Sequence, residues 1–238
     1  MKFRKRYYDF FSHFYDYVIK LHSQDKSLWL RHYLAKKSDV KPTDCVLDLC
    51  TGTGSMAIVL TQYTPQGMVV GLDFSLGMLR KAKQKAKGTE NLCFVVADAG
   101  AFPFKADAFN IVTCSHAMYE LSEDVRLFTL KNINRCLRSD GRFCMMEHEE
   151  PEQLFIKFLY RLRLLSMGRE GRKIVRHEID ELKEIFTGVA KKVTPTGRTK
   201  VICGGKINLG SKTVGTNEII PASVIPIQAK KNNVKIVR

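Results

Sequence analysis

The stretch Cys45-Val-Leu-Asp-Leu-Cys-Thr-Gly-Thr-Gly-Ser-Met-Ala57 constrains this chain more than any other. Few folds place a short apolar strand, a two-glycine turn and a helix in immediate succession. Val46, Leu47 and Leu49 read as a buried strand, Cys50–Gly54 as a tight turn, and Ser55 as the cap of a helix starting at Met56. Strand, glycine turn and helix N-terminus make the nucleotide-cradling unit of doubly wound α/β folds. Gly52 and Gly54 lack a Cβ, so the backbone there can approach a ligand and adopt positive φ without strain.

The rest of the chain repeats an alternation of apolar strands and amphipathic helices. Strands are expected at Val46–Leu49, Met68–Leu72, Leu92–Val96, Ile111–Cys114 and Arg142–Met146, the last after a Ser139-Asp140-Gly141 turn. Helices are expected at Met56–Tyr63, Gly77–Lys87 and Glu123–Leu137. Such an order implies an α/β domain whose parallel sheet is covered on both faces. Before it, Tyr7, Phe10, Phe11, Phe14, Tyr17, Val18 and Leu21 fall at helical spacing, and a second helix is expected over Ser27–Lys37. The turn Lys41-Pro42-Thr43-Asp44 therefore divides a helical cap, 1–41, from a main domain, 42–206. Within that domain 153–187 reads as a lid-like helical insertion: 153–177 carries seven Lys/Arg against one acid and is apolar through Leu154–Met167. A helix Glu178–Phe186 and strands at Val189–Val193 and Thr199–Cys203 follow, and 207–238 is a basic tail without assignable elements.

Gly52-Thr-Gly-Ser-Met-Ala57 also fits the loose dinucleotide pattern, and Asp73 lies 21 residues after Gly52, where a ribose carboxylate belongs. A dehydrogenase using NAD is thus one reading. Asp48, just before the turn, argues against it, because a carboxylate there repels a pyrophosphate and suits an ammonium or sulfonium. Asp98-Ala99, after the third strand, adds an acceptor and an apolar surface for an adenine. A nucleoside with a cationic amino-acid tail fits these residues better than a dinucleotide.

Four segments in order, Val46-Leu-Asp-Leu-Cys-Thr-Gly-Thr-Gly, Gly71-Leu-Asp-Phe-Ser-Leu-Gly-Met-Leu, Ala97-Asp-Ala-Gly-Ala-Phe-Pro-Phe and Arg135-Cys-Leu-Arg-Ser-Asp-Gly-Arg, resemble the class I S-adenosylmethionine-dependent methyltransferases, particularly the group making ubiquinone and menaquinone. The likeness covers roughly residues 44–150. It implies a Rossmann-like, mostly parallel seven-stranded sheet and an enzyme that methylates a small apolar or aromatic acceptor, quinol-like among the options. It also implies roles: Asp48 facing the methionine ammonium directly or through water, Gly52, Thr53 and Gly54 passing under the methionine portion, and Asp73 taking both ribose hydroxyls, with Cys50 and Phe74 also among the cofactor-binding residues. Asp98 and Ala99 match the adenine pair, and Ser115 the serine after the fourth strand. The chain departs from the pattern at Cys50, where many members have glycine, and at Ser115-His-Ala-Met-Tyr-Glu-Leu.

Residues at the C-terminal ends of strands four and five line the crevice in such sheets. His116, Tyr119 and Glu147 are therefore the candidate catalytic groups, with His148 beside them and His116 first as a base, since imidazole titrates near neutral pH. Glu147-His-Glu-Glu150 is no metal site, because adjacent strand residues point to opposite faces.

The net charge of +15 belongs to the ends: 1–41 holds 10 basic and 4 acidic residues, 189–238 holds 10 and 1, and the middle balances at 19 each. Basic ends attract nucleic acid or anionic lipid. A non-catalytic binder of either is the other alternative, although no RNA-binding motif or zinc-finger spacing supports nucleic acid. The same basic ends suit peripheral contact with a membrane surface. The seven cysteines form no CxxC pair and fall in apolar runs, so free thiols in a reduced, cytoplasmic setting are expected.

Overall fold

Runs of Val, Leu and Ile bounded by turn residues become buried strands, and the amphipathic stretches between them become the helices that cover both faces. A computed structural model describes residues 27–149, 178–207 and 235–237. Its strands are β1 (Cys45–Leu49), β2 (Met68–Asp73), β3 (Leu92–Val96), β4 (Phe109–Ser115), β5 (Leu137–His148), β6 (Phe186–Val193), β7 (Thr199–Lys206) and β8 (Lys235–Val237). Its helices are α1 (Trp29–Lys37), α2 (Ser55–Tyr63), α3 (Leu76–Lys85), α4 (Glu123–Cys136) and α5 (178–185).

The strand order is β6-β7-β5-β4-β1-β2-β3-β8. β1 to β5 run parallel, while β7 pairs antiparallel with β5, β6 with β7, and β8 with β3. The chain builds outward from β1 through β2 to β3, then returns to lay β4 on the other side of β1. The order reverses between β1 and β4, which opens the crevice where ligands of doubly wound sheets bind.

Successive side chains along a strand enter two separate cores, as strand geometry demands. Leu47, Leu49, Val70, Leu72, Val112 and Phe143 join Leu130 and Ile133 of α4. Val46, Val69, Ile111 and Cys144 join Leu34 of α1, Met56, Val59 and Leu60 of α2, and Leu79 of α3. The doubly wound α/β architecture is as expected, with seven of the strands where they were expected to within a few residues.

Four details differ from expectation. β8 makes the sheet eight-stranded: three residues of the tail pair with the outer edge of β3, Ile236 opposite Val95. β5 starts at Leu137, so the Ser139-Asp140-Gly141 turn falls inside it, where a Cβ on Gly141 would stand 2.9 Å from the Arg138 carbonyl oxygen. α2 begins at Ser55 after Gly54 at φ 77, with no side-chain cap bond, so Ser55 is not the cap. The expectation of free thiols holds for Cys45, Cys50, Cys93, Cys114 and Cys136, but Cys144 and Cys203 form a disulfide. They are direct ladder partners on β5 and β7, an approach that their separation of 59 residues does not reveal. The aromatic N-terminal helix, the basic 153–177 segment and most of the tail lie outside the described residues. Among the described residues no helix is long and apolar enough to cross a membrane.

Candidate active site

The glycine turn is built from three left-handed residues, Cys50 (φ 54), Gly52 (φ 55) and Gly54 (φ 77). Cys50 adopts this conformation without being glycine, which accounts for the family's usual preference there. The turn is pinned from below. Thr51 donates its amide to the Leu72 carbonyl at 2.9 Å, and Gly54 donates to Thr51 O at 2.9 Å. A Cβ on Gly54 would stand 2.8 Å from that of Ala82 and 3.2 Å from Phe94, so glycine lets α3 close against the turn. A Cβ on Gly52 would meet nothing within 4 Å, so open space lies against the backbone there.

Three carboxylates surround this turn, each fixed differently. Asp48 is 1% exposed and accepts from Thr51 Oγ1 at 2.5 Å and Thr113 Oγ1 at 2.9 Å. Burial raises its pKa to about 6, against the two hydroxyls and the Arg31 guanidinium, which favour the charged form. Asp48 thus braces the turn from beneath through hydroxyl partners. Asp73, at the end of β2, accepts from the Gly52 amide at 3.0 Å through Oδ2 and from the Ser75 amide at 2.8 Å through Oδ1. Its carboxylate therefore lies against the turn, beside the open space at Gly52. Asp98 accepts from the Gly100 amide at 2.7 Å and caps the short 3-10 helix Ala99–Ala101. The Ala97 amide donates to the Asp73 carbonyl at 3.0 Å, tying the loops after β2 and β3 together. Thr53 is buried and its hydroxyl accepts from Lys85 Nζ at 2.7 Å, while Phe74 is half-buried on the loop after Asp73.

Across the order reversal, Ser115 ends β4 and His116 turns away from it at φ 53, its amide donating to the Met146 carbonyl at 2.8 Å. His116 and His148 rings lie 4.5 Å apart, and Tyr119 stands 6.2 Å from His148. Glu147 Oε1 accepts from the Met118 amide at 3.0 Å. The candidates thus lie at the ends of β4 and β5 in two groups that share Tyr119: His116 with His148 and Tyr119, and Glu147 with Tyr119 on one cavity. Burial, with His148 and Arg31 adding to it, pushes the His116 pKa down to about 3. Its imidazole is neutral throughout the physiological range and is a poor fit to the expected base, whose pKa should lie near the working pH. Its Nδ1 is enclosed and has no hydrogen-bond partner among the described residues.

Thr51, Thr113 and Arg31 escaped the sequence reading. A Thr three residues after an acid, and one on the strand paired beside it, are visible signals only once β1 and β4 are known to be neighbours. Among the described residues, no group of three or more His, Cys, Asp or Glu side chains could hold a metal ion.

The model of the ubiE/COQ5 methyltransferase family matches residues 5–189. The demethylmenaquinone methyltransferase of Staphylococcus carnosus is 29% identical over 72% of this chain and 78% of its own. That of Lactobacillus johnsonii is 30% identical over 76% of this chain and 75% of its own. The crystal structure of a SAM dependent methyltransferase from Aquifex aeolicus superposes with a TM-score of 0.59 at 17% identity, covering 81% of this chain and 98% of that one, a likeness of fold.

Proposed function

Because the chain belongs to the ubiE/COQ5 methyltransferase family, we propose that it methylates a ring carbon of a reduced, demethylmenaquinone-like quinone. It is an S-adenosylmethionine-dependent methyltransferase acting on a small-molecule acceptor. The two readings weighed against it, an NAD-dependent oxidoreductase and a non-catalytic binder of lipid or nucleic acid, gain no support from these relatives.

The residues around the turn fit this cofactor. Open space at Gly52, next to the Asp73 carboxylate, suits a ribose whose two hydroxyls would donate to Asp73. Asp98 and Ala99 would take the adenine, Gly52, Thr53 and Gly54 would pass under the methionine portion, and Asp48, braced from behind by Thr113, would act on its ammonium through the Thr51 hydroxyl or water. Cys50, Phe74 and Ser115 would complete the wall. When bound, S-adenosylmethionine supplies an electrophilic methyl on a sulfonium, so the protein's share is mainly positioning and exclusion of water.

The observation that carries the acceptor class is the cluster of His116, His148 and Tyr119 at the mouth of the crevice. It offers aromatic faces, and at its half-buried member, His116, a neutral imidazole, to a planar uncharged ring. The name that the two relatives share supports the same class at about 30% identity. The acceptor carbon gains a methyl and gives up a proton, and a hydroquinone is electron-rich enough at carbon to do so where the oxidised ring is not.

The test uses demethylmenaquinone held reduced by dithionite, with S-adenosylmethionine as donor. Formation of menaquinone from the reduced form, and much less from the oxidised form, is expected. Transfer to amines or thiols in the same assay, with the reduced quinone untouched, would overturn the acceptor class.

A further inference from the structure

Behind the aromatic cluster lies a group of charges whose count does not balance. Arg126 of α4 donates to Glu181 of α5 from Nε at 2.8 Å and from Nη2 at 2.9 Å. Lys200 of β7, 2% exposed, pairs with Glu178 of α5. These two pairs engage both cations and two of the three acids. Glu147 of β5 is the third acid, 4% exposed, and no cation pairs with it among the described residues. One oxygen, Oε1, takes the Met118 amide; the other, Oε2, is enclosed and has no partner among the described residues.

Glu147, Met118, Tyr119, Met145 and Leu182 are among the residues lining a cavity of about 10 Å³. That is room for about one water-sized group. Arg126, Glu178 and Glu181 line it too, already engaged in their pairs, so an ionised Glu147 would add an uncompensated charge close to Glu178, which is costly. The neutral acid avoids that cost and turns Oε2–H into a buried donor lacking an acceptor.

We propose that Glu147 is the acceptor-recognition group of this enzyme: as a neutral acid it donates a hydrogen bond from Oε2 to an uncharged hydroxyl or carbonyl oxygen of the ring being methylated. This rests on the methyltransferase reading above and deepens it. Tyr119 lines this cavity and also stands 6.2 Å from His148, so it joins the cavity to the aromatic cluster at the ends of β4 and β5. The cavity admits one oxygen and not a ring, so the oxygen enters and the ring stays at the mouth. Binding of this kind discriminates, because an analogue lacking the oxygen leaves a buried donor unpaired.

The titration agrees in direction. Burial raises the Glu147 pKa to about 8, with Glu178 adding to the rise and the Met118 amide and Lys200 opposing it. Arg126 and Glu181 neutralise each other across the cavity, Tyr119 lines it, and Cys114 nearby is held as a neutral thiol. The folded pKa lies above the ordinary 4.5, so the folded chain binds more protons between the two values. Its contribution to stability is complete below pH 4.5 and lost as pH rises through about 8. Acceptor binding follows the same proton.

The test compares Glu147→Gln, which keeps a donor and cannot ionise, with Glu147→Leu, which removes it, using reduced demethylmenaquinone as the probe. Glu147→Leu is expected to raise KM for the quinol about ten- to a hundredfold, with S-adenosylhomocysteine affinity held. Glu147→Gln is expected to raise it about threefold and to abolish the rise in KM that the wild type shows above pH ~8. An infrared carbonyl band of a neutral carboxylic acid at pH 7, lost in Glu147→Gln, reads the proton without any turnover. Loss of kcat in Glu147→Gln as deep as in Glu147→Leu would make the group a base and overturn the proposal. An unchanged KM in both would reduce the cavity to a water site and overturn it too. If the wild type leaves the quinol unmethylated, it is the acceptor class that fails, and absence of the infrared band then separately decides against the neutral acid.

Discussion

Asp73→Ala is expected to weaken S-adenosylhomocysteine binding by at least about a hundredfold by isothermal calorimetry, more than any other single change around the turn. Two losses add. Hydrogen bonds from neutral donors to a buried carboxylate are worth about 1.5–3 kcal/mol each, and the ribose would present two. The same carboxylate also holds the Gly52 amide at 3.0 Å and the Ser75 amide at 2.8 Å, so its removal loosens the backbone on which the ligand lies. Asp73→Asn separates the two, since an amide oxygen keeps one backbone bond and loses the charge. It should fall between wild type and alanine. Equal affinities for all three proteins would remove Asp73 from the site.

The second large effect is on stability. Lys200→Ala is expected to cost about 3–5 kcal/mol of unfolding free energy, a large share of the ~5–15 kcal/mol of a typical domain, measured as a shift in urea midpoint at constant slope. Lys200 is 2% exposed, and its ammonium meets Glu178, whose carboxyl burial already pushes above the ordinary range. Truncation strands that carboxylate next to Glu147, with only Lys191, itself paired with Glu149, as a further cation acting on it among the described residues. Replacing both partners, Lys200→Met with Glu178→Leu, should recover most of the loss, because an apolar pair of similar volume carries no desolvation penalty. A Lys200→Ala protein as stable as wild type would mean that the pair is solvated.

The cofactor half of this molecule was legible in the sequence for a local reason. Each of Asp48, Asp73 and Asp98 sits at or just past the end of a short apolar run, and strand ends in a parallel sheet converge on one crevice whatever the loops do. The left-handed Cys50 was visible only as an odd residue where glycine is usual. The acceptor half was not legible, because its properties come from neighbours far away in sequence. His116 looks like a base in isolation, and burial against His148 and near Arg31 makes it neutral down to about pH 3. The Glu147 surroundings draw on α4, α5 and β7, and no spacing in the chain announces that one acid there is left without a cation of its own. The same holds for pairing. Cys144 and Cys203 meet only because β7 runs antiparallel beside β5, and Lys235–Val237 becomes a strand only because β3 offers an open edge.

The location of the cofactor is the claim on which the rest depends, and a crystal structure of the full chain with S-adenosylhomocysteine tests it most directly. The ribose hydroxyls should lie on the Asp73 carboxylate, the adenine between Asp98 and Ala99, and the homocysteine over Gly52 on the Thr51 side of the turn. A nucleoside bound elsewhere on the sheet, with the Gly52 amide still held by Asp73 and no ligand beside it, would contradict the account.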